Sequence, residues 1–161
     1  GVEGPRKLVA AGVAVVVAHN QHERAGVLIA PRGHALDDVV LEAESATQRG
    51  GRVAKEAAGF TGSGFVQFAG AKDGQLQWTV EVPDARIVAL ELRYSQDGDG
   101  KPVDVSIDGK AAGQLALWST GGKLTWGWDR IPCQLPPGQH TIRIRGLAEV
   151  NVDHLNLIER F

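Results

Sequence analysis

Gln75-Leu76-Gln77-Trp78-Thr79-Val80-Glu81-Val82 places an apolar side chain at every second position, with Gln, Gln, Thr and Glu filling the positions between. Successive side chains of an extended chain point to opposite faces, so this run reads as a strand with one apolar row and one wet row. Working outward, residues 86–94 repeat the pattern, with Val88, Leu90, Leu92 and Tyr94 in one row; Ile87 and Ala89 in the other row imply that both faces are partly covered. Val103, Val105 and Ile107 alternate with Asp104, Ser106 and Asp108, and Asp108-Gly109 is a hairpin-turn dipeptide. Pro136-Pro137-Gly138 marks a turn before residues 141–145, and residues 151–158 supply a closing strand. No segment carries a sustained apolar stripe at helical spacing, and the best helical candidate by composition, residues 43–58, is interrupted by Gly50-Gly51. The predicted fold is all-β: a jelly-roll β-sandwich of two packed antiparallel sheets with about eight to ten strands.

Composition narrows the function. Lys and Arg total 17 against 19 Asp and Glu, a net charge of −2, which supports neither a nucleic-acid nor an anionic-membrane surface. The single cysteine, Cys133, has no intrachain partner for a disulfide or a Cys-based metal site. Methionine is absent even at position 1, so further sequence is expected on the N-terminal side. The longest apolar stretch, residues 8–18, is too short to span about 30 Å of hydrocarbon. It is expected to form a hairpin with residues 26–30 across the polar loop 19–24; a signal-peptide core is the alternative. Residues 1–38 are therefore set apart as an N-terminal extension or the end of a preceding domain, and residues 39–161 as the sandwich.

The common catalytic signatures are missing: no G-x-S-x-G elbow, no H-E-x-x-H, no phosphate loop. His19, His22 and Glu23 read as solvated loop residues, lacking the further ligands that a zinc site needs. Glu42 and Glu44 carry more information. If the segment is a strand, residues two apart share a face, and two adjacent carboxylates ask for a cation. Asp153 shares strand parity with Leu155 and Leu157, so a core-facing leucine pair would turn its carboxylate inward. A hard cation with oxygen ligands, calcium, would satisfy three such carboxylates together with backbone carbonyls.

Three of the four tryptophans, Trp118, Trp126 and Trp128, lie within eleven residues of a Gly-, Ser- and Thr-rich stretch. A flat exposed ring suits the apolar C–H face of a sugar, with neighbouring polar groups fixing the hydroxyls.

Taken together, these residues resemble carbohydrate-binding modules of families 6 and 35, more closely family 35. Glu42-Ala43-Glu44 is similar to the opening E-A-E, Gly59-Phe60-Thr61-Gly62-Ser63-Gly64-Phe65-Val66 to the G-Y-T-G-S-G-F-V loop, and Leu90-Glu91-Leu92-Arg93-Tyr94 to the L-x-x-R-Y strand. Ser119-Thr120-Gly121 with Thr125-Trp126 matches the S-T-G…T-W segment, and Asn151-Val152-Asp153 the closing N-I-D. The five segments occur in order over about residues 40–158.

The resemblance implies a non-catalytic, galactose-binding-like sandwich; it is expected to be secreted, with a monomer as the default expectation. Its partners would be a polysaccharide or oligosaccharide and a covalently linked glycoside hydrolase or polysaccharide lyase. It implies structural calcium on Glu42, Glu44 and Asp153, and a sugar site bordered by Phe60, Trp118, Trp126, Trp128 and Asn151. Where relatives place an aromatic platform after the S-T-G, this chain has Gly122, Lys123 and Leu124, so Lys123 becomes a candidate for a uronate carboxylate and the platform is expected at Trp118 or Trp128. The competing expectation is a structural domain without sugar binding. A small enzyme would need a cleft near His140 or His154.

Overall fold

The computed structural model describes residues 39–98 and 101–158 in full, together with the backbone of three short strands before them, β1 (Arg6–Ala10), β2 (Val13–Val17) and β3 (Leu28–Ile29). The chain continues through β4 (Val39–Glu42), a 3₁₀ turn at Ala43–Ser45, β5 (Thr47–Arg49), β6 (Arg52–Ala54), β7 (Phe65–Gln67), β8 (Gly74–Val82) and β9 (Arg86–Gln96). It closes with β10 (Val103–Ile107), β11 (Lys110–Leu115), β12 (Gly122–Leu135), β13 (Gly138–Leu147) and β14 (Asn151–Ile158). One sheet runs β11-β10-β13-β8-β3, with β5 also on β8; the other runs β12-β9-β14-β7-β6, with β4 also on β14. All these pairings are antiparallel except that of β3 with β8. This is the predicted jelly-roll sandwich.

The core lies between the sheets and is filled by the rows read from the sequence. Leu76, Trp78, Val80 and Val82 of β8, with Ile142 and Ile144 of β13, meet Val88, Leu90 and Leu92 of β9 and Leu155 and Leu157 of β14. Every one of these is at most 2% exposed. Their burial supplies most of the driving force, about 25 cal/mol for each Å² of apolar surface removed from water. Trp78 also donates its indole N–H to the Glu42 carbonyl at 3.0 Å, which ties the end of β4 to the facing sheet.

Three local expectations change. The antiparallel pair before the sandwich is β1 with β2, both within residues 6–17, while β3 pairs in parallel with β8, so residues 8–18 and 26–30 do not form one hairpin. The polar loop between them, with His19, His22 and Glu23, lies outside the described residues. The Asp97-Gly98-Asp99-Gly100 run, expected from its composition to turn a hairpin, does not join neighbouring strands, because β9 and β10 belong to different sheets. The third change, at Glu42-Ala43-Glu44, concerns the candidate site. Among the described residues no helix is long and apolar enough to cross a membrane.

The Asp108-Gly109 hairpin forms as expected, with both residues at positive φ, 54° and 80°. Asp108 accepts from the Thr141 N–H at 2.8 Å and lies 2.7 Å from Nδ1 of His140, whose other ring nitrogen is 2.5 Å from the Pro136 carbonyl. Partial burial pushes this carboxyl up, but the bonds from His140 and Thr141 outweigh it and hold it below its ordinary value of 3.8. The pair therefore stabilises the fold above that value and loses its contribution as the pH falls through the lowered one. Asp108→Asn is expected to cost about 1 kcal/mol at pH 7. Urea denaturation at pH 7 and pH 3 should show the gap between wild type and variant closing at the lower pH; a gap that persists would contradict the assignment.

Candidate functional site

The six candidate sugar-binding residues fall into two groups. The first surrounds the Ser95–Gln96 end of β9. Gln96 takes the Thr120 N–H on its carbonyl at 3.0 Å, and its side-chain amide donates to the Leu117 carbonyl at 2.8 Å. Asp129 accepts the N–H groups of Ala116 and Leu117 at 2.7 and 3.2 Å, and the Tyr94 hydroxyl donates to the Trp118 carbonyl at 2.7 Å. Burial first, and then the nearby Asp129 charge, pushes Tyr94 up to about 12, so it stays a neutral donor. The result is a fixed loop, Leu117 buried beneath it at φ 53°, that holds the Trp118 indole out in solvent, 72% exposed.

Beside that loop, the Lys123 carbonyl accepts from the Ser95 hydroxyl at 2.9 Å and from the Asn151 amide at 3.4 Å. Asn151 is buried and also donates to Ser95, so it anchors the start of β12. The Lys123 ammonium reaches Glu149 only loosely, at 3.9 Å with both groups well exposed, and such pairs contribute little. Leu124, which the sequence pattern did not single out, stands 75% exposed next to it.

The second group lies on the outer face of the β12-β9-β14 sheet. Trp128 sits opposite Arg93 and is 56% exposed. Trp126 is half-buried: its ring meets Phe65 edge-on at 5.4 Å, and its indole N–H donates to the Ala58 carbonyl at 2.8 Å. Phe60 packs on Phe65 at 5.9 Å in the same small cluster, with Ala54 and Ala57. Phe60 and Trp126 thus pin the loop between β6 and β7 onto the sheet. Gly59 makes the approach possible, since at its φ of 94° an added Cβ would stand 3.2 Å from the Trp126 ring.

That loop carries Thr61 to the acidic residues. β4 ends at Glu42, and Ala43–Ser45 turns in 3₁₀ form, so Glu42 and Glu44 are not alternate residues of one strand. Both still reach the loop: Glu42 accepts from the Thr61 hydroxyl at 2.8 Å, and Glu44 from the Ser63 N–H at 2.8 Å. Asp153 is fully buried, but on the opposite face from the one expected. The register shifts between Val152 and His154, so Val152 and Leu155 both face the core and the bulged Asp153 turns outward beneath the loop. There it accepts from the Thr61 N–H at 2.9 Å and from Arg93 Nη1 at 2.7 Å, with His154 Nδ1 at 3.1 Å. Burial pushes its carboxyl up, yet the bonds from His154, Arg93 and Thr61 hold it below the ordinary range.

Glu42, Asp153 and His154, all buried, each offer a ligand atom within 4.8 Å of the others, and this group could hold a metal ion. Its donor set is mainly oxygen, two carboxylates with the Thr61 hydroxyl alongside, which suits a hard cation. Arg93 and Thr61 were not assigned roles from the sequence; an Arg in a strand's outer row reads as solvated until the covering loop is known. Cys133 is half-buried, and burial alone pushes its thiol up to about 11, which leaves it unreactive.

The chain matches the sequence profile of the carbohydrate binding module, family 6, over residues 42–159. It is 37% identical over 123 residues to a cycloisomaltooligosaccharide glucanotransferase of Niallia circulans, covering 73% of this chain and 13% of that one. It is 33% identical over 109 residues to an exo-beta-D-glucosaminidase of Amycolatopsis orientalis, covering 66% and 11%. The chain thus spans only a small part of these curated relatives. Among solved structures it is similar to a family 35 carbohydrate binding module from Clostridium thermocellum, with a TM-score of 0.71, 27% identity, and coverage of 77% of this chain and 99% of that one. With a profile match across nearly the whole sandwich and a solved neighbour covered end to end, the chain belongs to the family 6 carbohydrate-binding modules, non-catalytic domains of larger carbohydrate-active enzymes, and shares its jelly roll with family 35.

Proposed function

We propose that this module binds an oligosaccharide or polysaccharide at the Ser95–Gln96 end of the sandwich, with Trp118 as its stacking surface, and so tethers a secreted catalytic domain to its substrate. The observation that carries the reading is the Trp118 indole, 72% exposed on a loop whose backbone is hydrogen-bonded to Gln96, Tyr94 and Asp129. A large apolar ring held out in water by a rigid loop is a pre-formed platform rather than a packing residue. Lys123 and Leu124 border it, while Asn151 holds the floor of the site in place. Trp128 offers a second exposed ring on the outer face, with Phe60 and Trp126 supporting the loop beside it.

The similarity to a cycloisomaltooligosaccharide glucanotransferase makes isomaltooligosaccharides the first ligands to test. A single site of this kind is expected to bind in the micromolar to millimolar range, about 4 to 8 kcal/mol. Trp118→Ala should weaken binding at least about tenfold, or about 1.4 kcal/mol, with the melting temperature unchanged. Titration calorimetry over glucans, xylans, mannans and uronate-bearing oligosaccharides would check this. Silence across that panel from a folded protein would favour the competing reading, a structural domain that packs on its catalytic neighbour.

Calcium belongs to the same proposal. Glu42 and Asp153 would hold it, with Glu44 and carbonyls of the Thr61–Ser63 loop completing an oxygen set, and it would supply positive charge that locks β4, β14 and the loop together. The module acts as a monomer in this reading.

A further inference from the structure

We infer that Arg93 couples occupancy of the cation site to the aromatic outer face, so that binding at Glu42 and Asp153 changes the surface presented by Trp128. The inference rests on the cation reading above and extends it to regulation.

The geometry allows Arg93 little independence. Its Nη1 donates both to Asp153 Oδ2 at 2.7 Å and to the Gly59 carbonyl at 2.6 Å. The same guanidinium lies 5.2 Å from the centroid of the Trp126 ring and 5.4 Å from that of Trp128. Its side chain is only 16% exposed, and its buried Nε has no hydrogen-bond partner among the described residues. A guanidinium so enclosed cannot shift relative to Asp153 without shifting relative to both rings.

Asp153 is shared between two cationic demands. Among the described residues, Arg93 is the permanently charged side chain bonded to it, beside the His154 ring at 3.1 Å, and a divalent ion would draw on the same carboxylate. Two positive groups competing for one buried anion repel strongly, because the surroundings screen them far less than water does. Cation entry therefore loosens or displaces the guanidinium, and with it the cation–π contacts that set the position of Trp128. Coupling of this kind is reciprocal: a sugar that engages Trp128 alters cation affinity by the same factor. Removing Arg93 removes the competitor.

Calorimetry and tryptophan emission with calcium ion as the probe test this. In the wild type calcium should bind and shift the emission, and Trp128→Phe should remove most of that shift. Arg93→Met should bind calcium about fivefold or more tightly than wild type, the lower end of ordinary coupling, with no Trp128-dependent shift. If Arg93→Met fails to fold, Arg93→Lys serves: it keeps a charge near Asp153 but lacks the planar group, so calcium still binds and the emission response disappears. Calcium binding with unchanged wild-type emission, or an Arg93 variant that behaves as wild type in both measurements, overturns the coupling alone. No calcium binding by the wild type overturns the coupling and the cation reading together.

Discussion

Trp78→Ala is expected to cost about 3–5 kcal/mol, the ordinary loss for deleting a large aromatic from a packed core. The ring is fully buried between β8 and the facing sheet, so its removal leaves a cavity rather than an exposed surface. A second loss is added because the Glu42 carbonyl gives up the indole N–H that satisfies it at 3.0 Å. Against a total stability of about 5–15 kcal/mol for a domain, this is enough to lower the melting temperature by on the order of 10–20 °C. Trp78→Phe separates the two effects: it refills most of the volume but cannot donate, so it should cost about 1–2 kcal/mol. Its consequence should be felt at the end of β4, where the carbonyl lies beside the Glu42 side chain, as weaker calcium binding. Urea denaturation of both variants, followed by circular dichroism, checks the order; a Trp78→Ala loss under about 1 kcal/mol would show that the ring is not packed as described.

The strands were legible in the sequence because period two is a local property. The alternation at residues 75–82 reappears as strict alternation of buried and half-buried side chains along β8. Ile87 and Ala89, read as a second covered row, divide in the structure: Ala89 is fully buried and Ile87 is 58% exposed at the sheet's open end. What local pattern could not give is which strands share a sheet. The Asp97-Gly98 stretch has the composition of a hairpin turn, yet it carries the chain across the sandwich, and only the packing of β9 and β10 in different layers decides that.

The acidic cluster was legible in its residues and not in its construction. Glu42 and Asp153 do come together, but neither by the strand parity that pointed to them. At Glu42 the strand ends, its carbonyl taken by Trp78, and a 3₁₀ turn replaces the alternation. At Asp153 one extra residue in β14 reverses the face, and nothing in Asn151-Val152-Asp153-His154 announces a bulge, since the ladder partner Tyr94–Arg93 lies far away in sequence. Arg93 went unassigned for a related reason. Its burial is produced by the loop that Phe60 and Trp126 hold down, a tertiary event with no periodic signature.

Asp153→Ala should be the most damaging change at the site, destabilising the fold by about 3 kcal/mol. Breaking a buried ion pair by removing one partner costs more than the pair contributes, because the other charge stays behind without its anion. Here Arg93, mostly buried, would keep only the Gly59 carbonyl as a hydrogen-bond acceptor among the described residues, and the Thr61 N–H would lose its acceptor. Asp153→Asn keeps the volume and one acceptor, and should lose about half as much. Denaturation in chelator isolates this protein term, and repeating it with calcium adds the metal term: calcium should raise the midpoint of wild type and leave Asp153→Ala unmoved. The decisive comparison is a double-mutant cycle with Arg93→Met. If the pair acts as a unit, the double variant loses less than Asp153→Ala alone, since the stranded charge has been removed with its anion. Strict additivity would mean that Arg93 and Asp153 contribute independently, and the loop contacts of Thr61 would then have to explain why a carboxylate is buried there at all.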